Sequence, residues 1–303
     1  MHQTPCTIYD CEYDREVKGV IINNKVYALD NNNAPAPAKD YICEYVDFDM
    51  VQFYIESYSD INLYDNKDTS KWGYIHLSNG EIVVPPIYDD AIPFYGNRGR
   101  VEKDGKYGFL AQDGSMVIDL VWDDCGRSFH AGLCPVKQGL LWGYVDINGI
   151  VIVEPCFEIA ETFTIIEKDT YAALVKKDGK YGYLDDKCHY IFEPNLDDAK
   201  KFWWNGYAPV MIYGLWGFID KKGAFAVALQ FNDVEDRGFF GLGNCDFYLV
   251  KKGGQWGIID EHLRVTMPEK GVRYVVYGDR KIYLGNGIVT SERKLTVNKR
   301  VKE

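Results

Sequence analysis

Between residues 171 and 202 short apolar stretches alternate with tight polar breaks. Residues 171–177 (YAALVKK) are rich in strand-forming side chains, and Asp178 and Gly179 then supply the two positive-φ positions of a type I′ hairpin turn. Residues 180–185 (KYGYLD) alternate, so a strand there places Tyr181 and Tyr183 on one face and Gly182 and Leu184 on the other. A second turn at Asp186 and Lys187 leads to a third strand over residues 189–192, closed by Pro194. The tail that follows, Leu196-Asp197-Asp198-Ala199 and then Phe202, has the spacing of one Asp-capped helical turn that pins the connection to the sheet.

This pattern recurs. An aromatic followed by glycine stands at Trp72-Gly73, Tyr107-Gly108, Trp142-Gly143, Tyr181-Gly182, Trp216-Gly217 and Trp256-Gly257. A period of 35 to 40 residues is the signature of a repeat architecture, in which each unit buries its apolar face against its neighbours. The expectation is an all-β repeat protein of about seven three- to four-stranded antiparallel units, with a β-propeller favoured over an open β-solenoid. Residues 1–70 read as a degenerate N-terminal repeat or cap, with Val26 to Asp30 in the slot of the aromatic-glycine strand; residues 71–270 hold six repeats, and residues 271–303 supply closing strands and a polar tail, all in one continuous body. A glycine inside a strand implies that another backbone or a flat ring approaches it. The expectation here is that the aromatic ring of one unit stacks over the glycine of the next.

The strings KWGYI, GYVD and GFID, with IVVPPIYDDAIPF after the first, resemble the WG (KWG) repeats found in many bacterial proteins. The resemblance covers about residues 71 to 270. Tyr107 and Tyr181 stand where that family prefers Trp, the third unit has Glu158-Ile159 in place of the paired Asp, and the sixth lacks both the Gly turn and the Tyr-Asp-Asp tail. What the resemblance implies is a repeat protein with an all-β body, without a shared activity.

Charge narrows the partners. With 45 acidic and 34 basic side chains the formal net charge is −11, which repels nucleic acid and anionic membrane surfaces. No stretch reaches the roughly 20 apolar residues of a membrane span, and the first residues carry acids where a signal peptide needs a basic and then an apolar run, so the expected location is the cytoplasm. The eight cysteines form no CxxC pair and occupy non-equivalent slots, as buried or partly buried free thiols would. No metal site, cofactor or catalytic residue is assigned. The acid pairs Asp89-Asp90, Asp123-Asp124 and Asp197-Asp198 recur at one slot, which fits a structural cap better than an asymmetric acid–base site.

Most aromatics lie in repeating positions, so those that break the pattern point to recognition. Trp203 and Trp204 occur once, after Phe202, and Phe239 and Phe240 lie in the step lengthened to 40 residues. These four are the candidate binding residues. They support a non-enzymatic scaffold that holds a protein or peptide partner through irregular loops. The alternatives are an enzyme or a small-molecule or carbohydrate binder with a central pocket, and a purely structural part of a larger assembly.

Overall fold

A computed structural model of the protein describes residues 4–10, 15–38, 50–55, 70–95, 97–236, 247–269, 274–277, 280–285 and 288–293. Its regular elements are β-strands, joined in antiparallel sheets. The chain divides into two compact units, residues 1–163 and 164–303.

One sheet pattern recurs within each unit. In the first, Asp90–Ala91, Gly99–Lys103, Lys106–Leu110 and Met116–Trp122 pair in that order, as do Asp124–Cys125, Leu133–Gln138, Leu141–Asp146 and Val151–Phe157. In the second, the set Asp198–Ala199, Tyr207–Ile212, Leu215–Asp220 and Phe225–Phe231 has the same order. Asp233–Asp236, Phe247–Lys252, Gln255–Asp260 and Val265–Thr266 repeat it once more. The expected helical turn at Asp-Ala is therefore replaced by a two-residue strand. Asp90 pairs with Glu102 and Ala91 with Val101, so the connection satisfies its backbone on the next hairpin, where an isolated turn would leave donors open. A fourth strand this short also explains how about 35 residues suffice for a four-stranded sheet.

Local chemistry sets the two turns of the fourth repeat, and its second turn recurs in the third, fifth and sixth. At the first hairpin tip, Asp178 (φ 51°) and Gly179 (φ 75°) adopt the left-handed pair that a type I′ turn requires. At the second, the Asp closing the aromatic-glycine strand caps two N–H groups. Asp185 Oδ1 accepts from Lys187 at 3.0 Å and His189 at 2.8 Å, and Asp146, Asp220 and Asp260 do the same. Burial works against the charged form of Asp260, but the N–H groups of Arg264 and His262 and the Arg264 guanidinium outweigh it and hold its pKa below the usual carboxylate range.

The repeat glycine is approached by backbone, which corrects the expectation of a stacked ring. A Cβ on Gly182 would lie 2.6 Å from the Phe192 carbonyl oxygen and 2.8 Å from Pro194 N; on Gly217 it would lie 2.6 Å from the Val227 carbonyl oxygen. In both cases the intruder is the outer strand of the same sheet, where a bulge sets three residues against one: Tyr181 pairs with Leu196, and Tyr183 with Phe192. Pro194 sits inside that bulge and does not close the strand, since Tyr190–Leu196 runs past it. A bulge leaves a ladder donor unused, so proline costs nothing there.

The cores lie between successive sheets. In the first unit Tyr74, Val84, Tyr88, Ala91, Phe94, Val101 and Leu110 pack together from two repeats. The Phe of each connection fixes the sheets edge-on: Phe94 against Tyr74 at 5.0 Å between centroids, and in the second unit Phe202 against Tyr183 at 4.8 Å. The Tyr183 hydroxyl, fully buried, donates to the Lys200 carbonyl at 2.6 Å, and burial raises its pKa well above the ordinary phenol value.

The termini keep the same devices. Arg15–Ile22, Lys25–Leu29 and Pro35–Pro37 form a hairpin and a third strand in one seven-stranded sheet with Thr4–Asp10, Met50–Ile55, Lys71–His76 and Ile82–Tyr88. Asn23 and Asn24 take the left-handed turn, and Asp30 Oδ1 caps Asn32 and Ala34. Tyr274–Tyr277, Arg280–Gly285 and Ile288–Arg293 form a three-stranded sheet in the second unit, and Thr164–Glu167, in the longer step after the third repeat, pairs with Thr170–Lys177.

Candidate functional site

The repeating polar residues hold the repeats together. The Lys ahead of the aromatic-glycine pair reaches the first Asp of the following pair: Lys71 to Asp89, Lys106 to Asp123 at 2.6 Å, Lys180 to Asp197 at 2.5 Å. The other oxygen of that Asp accepts the first N–H of the next hairpin tip, from Asp104 at 2.7 Å, Gly139 at 2.6 Å and Tyr213 at 2.6 Å. The Lys hydrogen bond, followed by the backbone one, pulls the pKa of all three carboxyls below the usual range. The second Asp serves its own chain, Asp124 Oδ1 accepting from Cys125 N and Asp198 Oδ1 from Ala199 N, each at 2.8 Å. Every one of these carboxylates thus has a structural partner. The repeat aromatics are partnered too, with cations over their rings: Lys137 over Trp142 at 5.6 Å, Lys176 over Tyr181 at 4.9 Å, Lys251 over Trp256 at 5.4 Å.

A cleft of about 250 Å³ lies in the first unit, lined by Cys125, Pro135, Trp142, Ile159, Glu161 and Thr162 among others. Burial pushes the Cys125 thiol up to about 12, so it is a neutral, poor nucleophile at physiological pH. Among the described residues no group of three or more His, Cys, Asp or Glu side chains could hold a metal ion.

Two of the four candidate binding residues are described, and they differ. Trp203 is half-buried and stacks on Tyr248 with ring centroids 3.7 Å apart and planes 17° from parallel. Trp204, beside it, is 56 % exposed. The turn between them and the next strand is held by the Trp203 N–H to Tyr207 carbonyl bond at 2.8 Å and by Asn205 Nδ2 to the Glu261 carbonyl at 2.9 Å. Phe239 and Phe240 lie outside the described residues.

Two exposed positions were not singled out from the sequence. Leu140 is 87 % exposed and Tyr213 93 %, each at the tip of a first hairpin. Both tips belong to repeats with Leu, not Lys, before the aromatic: Leu141 before Trp142 and Leu215 before Trp216. Aligning the repeats slot by slot would have found them, because Tyr213 stands where the second and fourth repeats carry Asp104 and Asp178.

The family model described as a WG containing repeat matches residues 72–107, 107–139, 142–181, 181–216 and 216–256. The chain belongs to the WG-repeat proteins. Four of the five matched segments run from one repeat aromatic to the next, and the segment 107–139 stops just short of Trp142. No curated protein matches this WG-repeat chain. Among solved structures, a eukaryotic initiation factor is similar at 9 % identity and a TM-score of 0.41, over 94 % of this chain and 90 % of that one. Kluyveromyces lactis Hsv2 is similar at 8 % identity and 0.33, over 69 % and 71 %, and a streptogramin B lyase at 11 % and 0.33, over 77 % and 86 %. Such scores and identities carry neither fold closure nor activity across. Among the described residues no helix is long and apolar enough to cross a membrane.

Proposed function

We propose that this WG-repeat protein is a non-enzymatic scaffold whose irregular connections hold a protein or peptide partner. The observation that supports this reading most is Trp204. An indole 56 % exposed is carried on a turn whose neighbours are fixed, Trp203 by stacking on Tyr248 and Asn205 by its bond to Glu261. A rigid aromatic anchor loses little entropy when it is covered, which is why such residues concentrate binding energy. The repeat carboxylates and rings, by contrast, are engaged within the fold.

The test is Trp204→Ala, purified in parallel with the unmodified protein from its native source. A partner retained by the unmodified protein and lost by the variant, at equal melting temperature, supports the proposal. Equal recovery by both proteins removes this loop as the binding site.

A further inference from the structure

The most exposed large hydrophobic side chain among those described is also held in a backbone conformation that disfavours it. Tyr213 has φ 51°, with Gly214 at 74°, in the first position of a type I′ tip. Asp104 (52°) and Asp178 (51°) occupy the same slot in other repeats, and Asp tolerates the left-handed region where a bulky aromatic does not. At 93 % exposure, packing within the fold does not offset that cost. Strain retained without packing points to a contact outside the chain.

The surroundings define what that contact is. Leu215, 37 % exposed, adds apolar surface beside the ring. On one side Asp197 accepts the Tyr213 N–H at 2.6 Å and Lys180 at 2.5 Å, which places the Lys180 tip next to Tyr213; Lys176 and Lys177 lead into that tip, and Asp178 shares it. On the other side Gly253 N donates to Asn232 Oδ1 at 3.0 Å and Lys252 Nζ to Gln230 Oε1 at 2.8 Å, just past Phe231, which pairs with Trp216. An aromatic and a leucine are thus bracketed by lysine-bearing tips in a chain whose formal net charge is −11.

We infer that the tip formed by Tyr213, Gly214 and Leu215, bracketed by Lys180 and Lys252, is a docking surface for an acidic polypeptide segment that carries an apolar side chain. Lys252, hydrogen-bonded to the neutral Gln230, draws the carboxylate, Lys180 shares its charge with Asp197, and the tyrosine and leucine take the apolar group. A nucleic acid strand fits less well, because its unbroken row of phosphates meets the acidic remainder of the protein. The surface is independent of Trp204, which lies beyond the opposite end of Tyr207–Ile212, across roughly 20 Å of extended strand.

The experiment selects random twelve-residue peptides displayed on phage against the unmodified protein, then measures the enriched peptides on Tyr213→Asp, Lys252→Gln and Trp204→Ala. The expected clones are acidic with at least one Leu, Phe, Trp or Tyr. They bind Tyr213→Asp about tenfold more weakly and Lys252→Gln several-fold more weakly, weaken as salt rises, and bind Trp204→Ala as before. Tyr213→Asp is expected to melt at or above the temperature of the unmodified protein. Failure to enrich any clone, enrichment of non-acidic clones, or equal binding by Tyr213→Asp overturns the inference. So does displacement of the peptides by an equal concentration of a twelve-nucleotide oligothymidine, or a Tyr213→Asp variant that melts several degrees lower.

Discussion

The fourth and fifth repeats, both in the second unit, build the same hairpin tip from opposite chemistry. The fourth carries Asp178-Gly179-Lys180, and Lys180 clamps Asp197; the fifth carries Tyr213-Gly214-Leu215, and the connector that follows it has Asn232 where the fourth has Asp197. The turn cap survives the exchange, since Asn232 Oδ1 accepts the Gly253 N–H at 3.0 Å as Asp197 accepts that of Tyr213 at 2.6 Å. The ion pair does not. The N–H acceptor is therefore the part of the connector that the fold requires, while the Lys–Asp clamp is optional, and where it is absent the tip is free to present apolar side chains.

The largest effect should fall on what the two repeats share. Gly182→Ala and Gly217→Ala each drive a methyl group into the outer-strand backbone, and each should lose about 2 kcal/mol or more in urea denaturation. A glycine that tolerated alanine would mean that the bulge can shift, and the common frame would be weaker than described. Next comes a difference between the repeats. Tyr183→Phe leaves the Lys200 carbonyl without its buried donor and should cost about 1 kcal/mol by the same measurement, whereas the fifth repeat already has Phe218 in that slot.

A smaller effect concerns pH. Asp89, Asp123 and Asp197 have folded pKa values below their unfolded ones, so their contribution is fully present above the ordinary carboxylate pKa of about 4 and is lost as pH falls through the lowered values. The urea midpoint should be flat near neutrality and decline in acid. Asp197→Asn keeps the acceptor for Tyr213, so it should remove part of that acid dependence while the hairpin still forms; an unchanged acid limb would show that the clamp contributes nothing. The smallest effect is expected for Tyr213→Asp alone, a rise of a degree or two in melting temperature.

What the sequence made legible follows from which signals are local. The type I′ tip at Asp178 and Gly179, the alternation in KYGYLD and the period of the aromatic-glycine pair rest on neighbouring residues, and the structure shows all three. The Asp-Ala strand was misread because Ala-x-x-Phe also fits one helical turn, and two residues are too few to display a strand period. The approach to Gly182 was misassigned because its cause, a bulge around Pro194, lies across the sheet and not along the chain. Trp203 and Trp204 look alike in sequence, and only the position of Tyr248 separates the stacked ring from the exposed one. Tyr213 escaped notice because Tyr-Gly is not turn vocabulary, although its slot is.

The most direct test of the account is the urea unfolding free energy of the double variant Tyr213→Asp with Leu215→Lys, which gives the fifth repeat the tip of the fourth. If repeat slots hold the fold and departures from them serve recognition, the variant is as stable as the unmodified protein or more so. A loss of more than about 1 kcal/mol would show that Tyr213 and Leu215 support the fold, and would contradict it.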